Sequence, residues 1–116
     1  MNFDNYIISE KKNIEEAISL IEINNCRCVL VKSYNSNKII GTISEGDILR
    51  TVLKGISTKS PLKNIINTNF KFLNKYNQDE IENLFKKGIT LVPILDEDKL
   101  LVDVITLISY YSERKK

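Results

Sequence analysis

The chain has 116 residues, of which 42% are hydrophobic and 28% charged, and its formal net charge is +2. This length allows one compact domain or two small repeats sharing a core, and the composition argues against disorder. The mild charge, with no basic block interleaved with aromatics, argues against nucleic acid as a partner. No apolar run approaches the roughly 20 residues needed to span a bilayer, so no membrane partner is expected. The N-terminus lacks the charged region and apolar core of a secretory signal, and a cytoplasmic location follows as the expectation.

In chain order, Tyr6-Ile7-Ile8 is predicted as a short extended segment. Asn13-x-x-Glu16 then opens a helix as a capping box, with Ile14, Ala17, Ile18 and Ile21 at the spacing of one buried face. Asn24-Asn25 ends it. Residues 26–31 form an apolar run broken only by Arg27 and read as a strand. Cys26 and Cys28, one residue apart, would face the same side of that strand. The sequence has no histidine to complete a zinc site with them, and a disulfide between them would be strained. They read as small buried thiols. Residues 33–37 turn the chain and residues 39–43 return as a second strand.

That strand runs directly into a helix at Gly41-Thr42-Ile43-Ser44-Glu45-Gly46-Asp47-Ile48-Leu49-Arg50. Ser44-x-x-Asp47 has the spacing of a capping box. The same geometry leaves amide donors at a helix start, where a phosphate is favoured, beside a carboxylate able to accept from ribose hydroxyls. Ile48, Leu49, Val52 and Leu53 share a helix face, and Gly55 closes the helix.

The second half repeats this order. Pro61 starts a short helical turn through Ile65 and Ile66, and Phe70-Lys71-Phe72-Leu73 matches the early extended segment. Asn77-x-x-Glu80 opens a helix with Ile81, Leu84 and Phe85 inside, ended by Gly88. Residues 89–95 form a strand, Asp96-Glu97-Asp98 a turn, residues 100–105 a returning strand, and a last helix runs from Leu107 through Tyr110 and Tyr111. Its cationic ending, Arg114-Lys115-Lys116, suits a solvated helix C-terminus. Asn13 and Asn77 are 64 positions apart, and Ser44 and Thr106 are 62 apart. Two copies of helix, strand, strand, helix, each too small for its own core, imply a tandem repeat packed as one unit. The expected division is 1–58 and 59–116.

The element order, with Gly41-Thr42-Ile43-Ser44-Glu45-Gly46-Asp47 in the first copy and Leu91-Val92-Pro93-Ile94-Leu95-Asp96 in the second, resembles a tandem pair of cystathionine-β-synthase (CBS) domains, a Bateman module. The resemblance covers nearly the whole chain. It implies a mixed α/β (α+β) fold of two repeats, each a short sheet flanked by two helices, related by a pseudo-two-fold axis. It also implies a regulatory module that binds an adenosine nucleotide and controls an attached or partner domain. AMP, ADP or ATP is the candidate ligand, S-adenosylmethionine a lesser one, and a homodimer of modules the expected assembly. Neither a metal nor a catalytic residue is implied. The alternative is a structural dimerisation and docking module whose clefts bind nothing.

Carried over by position, Ser44 would meet phosphate or ribose and Asp47 the ribose hydroxyls. Cys26, Arg27 and Cys28 would flank the base, and Ile8-Ser9 would lie on the same cleft. Thr42 reads as a β-former or a ligand contact, and Gly46 as neutral or as an approach for phosphate. Glu45 is unfavourable beside a phosphate unless it points to solvent or a metal accompanies the nucleotide, while Arg27 and Arg50 read as surface charges or phosphate ligands. In the second copy Thr106 matches Ser44, but Asp103 replaces the glycine and Ser109 the carboxylate, which marks a degenerate second cleft. Tyr-Ile-Ile-Ser followed by Ile14-Glu15-Glu16-Ala17, Gly-Thr-Ile-Ser-Glu-Gly-Asp-Ile-Leu-Arg and Leu-Val-Asp-Val-Ile further resemble the CBS pair at the N-terminus of some bacterial sugar-phosphate nucleotidyltransferases. In those proteins a C-terminal catalytic domain follows. These residues carry no glycine-rich phosphate loop, so the chain itself is not expected to be an enzyme.

Overall fold

The computed structural model describes residues 2–114. Its elements run β1 (Ile7–Ser9), α1 (Ile14–Asn24), β2 (Cys28–Lys32), β3 (Ile39–Ser44), α2 (Glu45–Leu53), a 3-10 turn (Leu62–Asn64), α3 (Gln78–Lys86), β4 (Leu91–Leu95), β5 (Leu101–Thr106) and α4 (Leu107–Arg114). The last of these carries the cationic ending as far as Arg114, while Lys115 and Lys116 lie outside the described residues.

Caps explain where the helices start. Asn13 accepts from the amide of Glu16 at 2.9 Å, and Glu16 reaches back to the amide of Asn13 at 3.3 Å. Asn77 accepts from the amide of Glu80 at 3.0 Å. At the other ends Asn25, Gly55 and Gly88 adopt positive φ, the backbone turn that stops a helix.

β1 pairs in parallel with β2, and β2 pairs antiparallel with β3; β4 and β5 form a second antiparallel pair. Both hairpins shift register at corresponding places, between Val31 and Lys32 and between Ile94 and Leu95. The repeat therefore extends to an irregularity of the backbone. The hairpins meet at their tips, where Lys38 bridges Leu100 and the amide of Ile39 donates to the carbonyl of Lys99 at 2.9 Å.

Three apolar clusters hold the chain. One joins α1 and α2 to the first sheet through Ile14, Ala17, Ile21, Val29, Val31, Ile43 and Ile48. A second joins α3 and α4 to β4 through Ile81, Leu84, Phe85, Val92 and Tyr110. Between them Cys26, Leu30, Ile39, Leu91 and Leu95 meet from both halves, flanked by Tyr6, Phe70 and Phe72. This shared cluster makes one unit of two sheets too small to stand alone. Tyr110 is in the core, while Tyr111 stands half-exposed beside it.

Two expectations are corrected. Residues 70–73 do not form a strand matching β1; only Leu73 bridges β4, opposite Ile94. In the first sheet the amide of Leu30 donates to Tyr6 at 2.7 Å and carries the parallel ladder forward. The position equivalent to Leu30 is Pro93, which has no amide to donate, so the ladder stops. The second correction concerns Cys26 and Arg27, which lie outside β2. Arg27 has φ +63°, and this left-handed residue turns Cys26 away from the face that Cys28 occupies.

Candidate functional site

Alternation along β3 decides what faces the space between the two halves. Ile39, Gly41 and Ile43 are buried, so Thr42 and Ser44 point to the opposite side. Cys28 is paired with Ser44 across the ladder and shares that side. Together with Glu45, Gly46, Asp47 and Arg50 they line a cavity of about 580 Å³. Its other walls come from Asn67, Asn69, Phe70 and Lys71 of the connector and from residues 88–91, where β4 begins.

The junction is a complete capping box. The amide of Asp47 donates to Ser44 Oγ at 3.1 Å, and the amide of Ser44 donates to Asp47 Oδ2 at 2.9 Å. Asp47 Oδ1 accepts from Arg50 Nη2 at 2.7 Å, and the Asp47 side chain is only 24% exposed. The amide of Glu45 donates to the Arg27 carbonyl at 3.0 Å, which ties the entry to β2 onto the start of α2. Beside Asp47, the Cys28 thiol is pushed up to about 12, chiefly by burial, then by the Asp47 carboxylate and Cys26, against a lowering hydrogen bond to the Ile43 backbone. It stays protonated at neutral pH.

Gly41 places the far wall. A Cβ there would lie 2.2 Å from Ile66 Cγ2 and 2.7 Å from the Asn67 carbonyl oxygen. Only a glycine lets residues 66–67 cross β3, where Thr42 and Asn67 exchange backbone hydrogen bonds of 3.1 and 2.9 Å. That crossing delivers Asn69, Phe70 and Lys71 to the cavity. The wall formed by the start of β4 is tied down by Thr90, whose hydroxyl donates to the Cys26 carbonyl at 2.5 Å.

Of the residues expected at the site, Arg27, Cys28, Thr42, Ser44, Gly46 and Asp47 are brought together here. Three stand elsewhere. Ile8 is buried in the α1–α2 core, Ser9 accepts from the amide of Lys11, and Cys26 lines a separate cavity of about 260 Å³ with Asn25, Arg27, Thr90, Leu107 and Ile108. The second junction lies next to that smaller cavity. Thr106 is buried and caps the amide of Ser109 at 3.2 Å, but Ser109 has no carboxylate to return the bond. The connector residues at the larger cavity were not anticipated. The sequence signal for them is Gly41, whose missing side chain marks a close backbone approach.

Among the described residues no group of three or more His, Cys, Asp or Glu side chains is placed to hold a metal ion, and no helix is long and apolar enough to cross a membrane. Residues 1–54 match the family model for the CBS domain. The chain has the fold of a CBS pair. A CBS domain protein from Pyrobaculum aerophilum complexed with AMP is 20% identical with a TM-score of 0.74, and the match covers 89% of this chain and 80% of that one. A CBS domain pair in complex with 5′-methylthioadenosine and S-adenosyl-L-methionine is 21% identical with a TM-score of 0.73, over 96% of this chain and 90% of that one. GMP reductase from Trypanosoma brucei in complex with guanosine 5′-triphosphate is 22% identical with a TM-score of 0.72, over 95% of this chain but 27% of the longer one. No curated protein matches the sequence. At these identities the CBS-pair likeness is one of fold.

Proposed function

We propose that this CBS pair is a cytoplasmic regulatory module that binds one adenosine nucleotide, AMP, ADP or ATP, in the larger cleft. The observation that carries the reading is the meeting, around one cavity, of the Ser44–Asp47 capping box from one half with Lys71 and Thr90 from the other. A phosphate is favoured at the start of α2, and Ser44 and Asp47 offer polar partners for ribose or phosphate. The AMP complex of one structural neighbour and the 5′-methylthioadenosine and S-adenosylmethionine complex of another support the adenosine class. The smaller cavity, whose nearby junction lacks the carboxylate, is proposed as degenerate.

In this reading ligand acts by binding one arrangement of the two halves better than another, and passes that preference to an attached or partner domain. The attached domain is proposed as a sugar-phosphate nucleotidyltransferase, on the motifs of residues 6–9, 41–50 and 101–105. A reading frame that continues past Lys116 into a glycine-rich phosphate loop supports this part; one that does not removes it.

A homodimer is proposed through the α1–α2 face. There Ile18, Leu49 and Val52 line an apolar groove of about 820 Å³, with Leu53 beside them 76% exposed. The same face supports the alternative, a docking module that binds no nucleotide. A thermal-shift screen separates the two, using AMP, ADP, ATP, S-adenosylmethionine and the guanosine and cytidine nucleotides. At a hundredfold excess over Kd a ligand adds about 2.7 kcal/mol. No shift with any of them leaves only the docking module.

A further inference from the structure

Two ion pairs stand at the mouth of the cleft, and they differ in how firmly they are held. Asp47 is locked: its carboxylate closes the capping box, meets Arg50 at 2.7 Å and is largely shielded. Glu45 is loose. Its Oε1 lies 3.7 Å from Arg27 Nε, and the two side chains are 59% and 76% exposed. A pair this long and this exposed contributes little and exchanges readily with other anions. The backbone bond from Glu45 to the Arg27 carbonyl keeps the two residues side by side even when their side chains part. With its side chain 59% exposed, the Glu45 carboxylate can turn from Arg27 into solvent.

The conflict comes from the ligand. A phosphate at the start of α2 meets Arg27 as an attraction and Glu45 as a like charge in the same wall. Resting on the nucleotide reading above, we infer that Glu45 is a resident counter-ion which the ligand's phosphate displaces from Arg27. Glu45 is thus a specificity-determining residue: it sets how strongly the cleft prefers a phosphorylated nucleoside over the bare nucleoside. Lys71, from the connector, also lines the cleft.

The test is calorimetric titration of the intact chain with AMP and with adenosine, for the wild type, Glu45→Gln, Arg27→Met and the double variant. Glu45 is exposed in the first turn of α2, and far-UV circular dichroism confirms that each variant is folded. The expected result is that Glu45→Gln tightens AMP about two- to fivefold and leaves adenosine unchanged, the range set by what an exposed ion pair contributes. Arg27→Met weakens AMP, and in that background the gain from Glu45→Gln is smaller, because only the direct repulsion is left to relieve. The inference is overturned if Glu45→Gln leaves AMP unchanged, if it tightens AMP and adenosine equally, or if its gain is undiminished without Arg27. A wild type that binds neither AMP nor any nucleotide in the thermal screen would remove the nucleotide reading and this inference together. AMP binding that ignores Glu45 removes this inference alone.

Discussion

Gly41→Ala is the most informative single change, because one methyl group tests both the fold and the delivery of the cleft's far wall. Its Cβ would sit 2.2 Å from Ile66 Cγ2 and 2.7 Å from the carbonyl oxygen of Asn67. The Ile66 methyl can swing aside at the modest cost of an overpacked core, about 1–3 kcal/mol. The carbonyl cannot, because Asn67 is bound to Thr42 by two backbone hydrogen bonds, each contributing about 0.5–1.5 kcal/mol. Moving it loses them in part. The expected loss is therefore about 2–4 kcal/mol in urea unfolding, with an unchanged denaturant slope. Asn69, Phe70 and Lys71 follow Asn67, so nucleotide affinity should fall as well. Gly46→Ala is the control: its Cβ meets nothing nearer than Arg50 Nη1 at 3.3 Å, the end of a flexible side chain, and it should be neutral or slightly stabilising. If Gly41→Ala stays within about 0.5 kcal/mol of the wild type, the crossing of residues 66–67 over β3 does not require a glycine.

The two junctions should differ in strength. Ser44→Ala should cost about 1–2 kcal/mol because it opens a two-way cap, while Thr106→Ala, which removes a single bond, should cost about half that by the same denaturation assay. Asp47→Ala should weaken nucleotide binding strongly by calorimetry and Ser109→Ala hardly at all; equal effects would place the site elsewhere. Arg27→Gly should relieve the left-handed backbone, raising stability by about 0.5–1 kcal/mol, yet weaken nucleotide binding, so that stability and affinity move in opposite directions. For Cys28 the folded thiol holds its proton to about 12, against 9.0 as the ordinary value. Its contribution to stability is therefore complete below about pH 9 and is lost as pH rises from there towards 12. Unfolding curves at pH 8 and pH 10.5 should show a smaller alkaline loss for Cys28→Ala than for the wild type.

Much of this architecture is legible in the residues because local rules and long-range packing agree. Asn13, Ser44 and Asn77 are caps in the structure as in the sequence, and the apolar residues of α3 and Ile14, Ala17 and Ile21 of α1 point to the core, whereas Ile18, expected on the same buried face, stands exposed. The misreadings arise where one backbone property outweighs the side-chain pattern. The apolar run through Cys26 looks like strand throughout, but nothing in its composition marks the left-handed Arg27 that breaks it. Phe70-Lys71-Phe72-Leu73 has strand alternation, yet Pro93 on the neighbouring strand β4 withholds the amide that pairing needs. That proline was visible in the sequence; its partner was not. The same limit hid half of the cleft, because capping motifs report only local neighbours. Asn67, Asn69 and Lys71 come to the same cavity as Ser44 through a chain crossing whose local trace is the absence of a side chain at residue 41.

The difference between the two halves follows from that crossing. In the first half, Gly41 admits the connector, which spans the strand and carries Lys71 to the mouth of the cavity. The corresponding residue in the second half is Asp103, whose carboxylate turns back to accept from the amide of Val104 at 2.8 Å. The carboxylate at position 47 has the same dependence: it closes one cap and meets Arg50, whereas Ser109 can do neither. Two similar backbones thus enclose about 580 Å³ on one side and about 260 Å³ on the other. A ligand in the larger cavity would touch a helix start from one half and a connector and strand entry from the other. Its affinity would then depend on how those halves sit together. Such dependence is the physical requirement for a sensor, since a ligand shifts an equilibrium only by the difference in its affinity for the two states. A ligand held by one half alone could bind as tightly and regulate nothing.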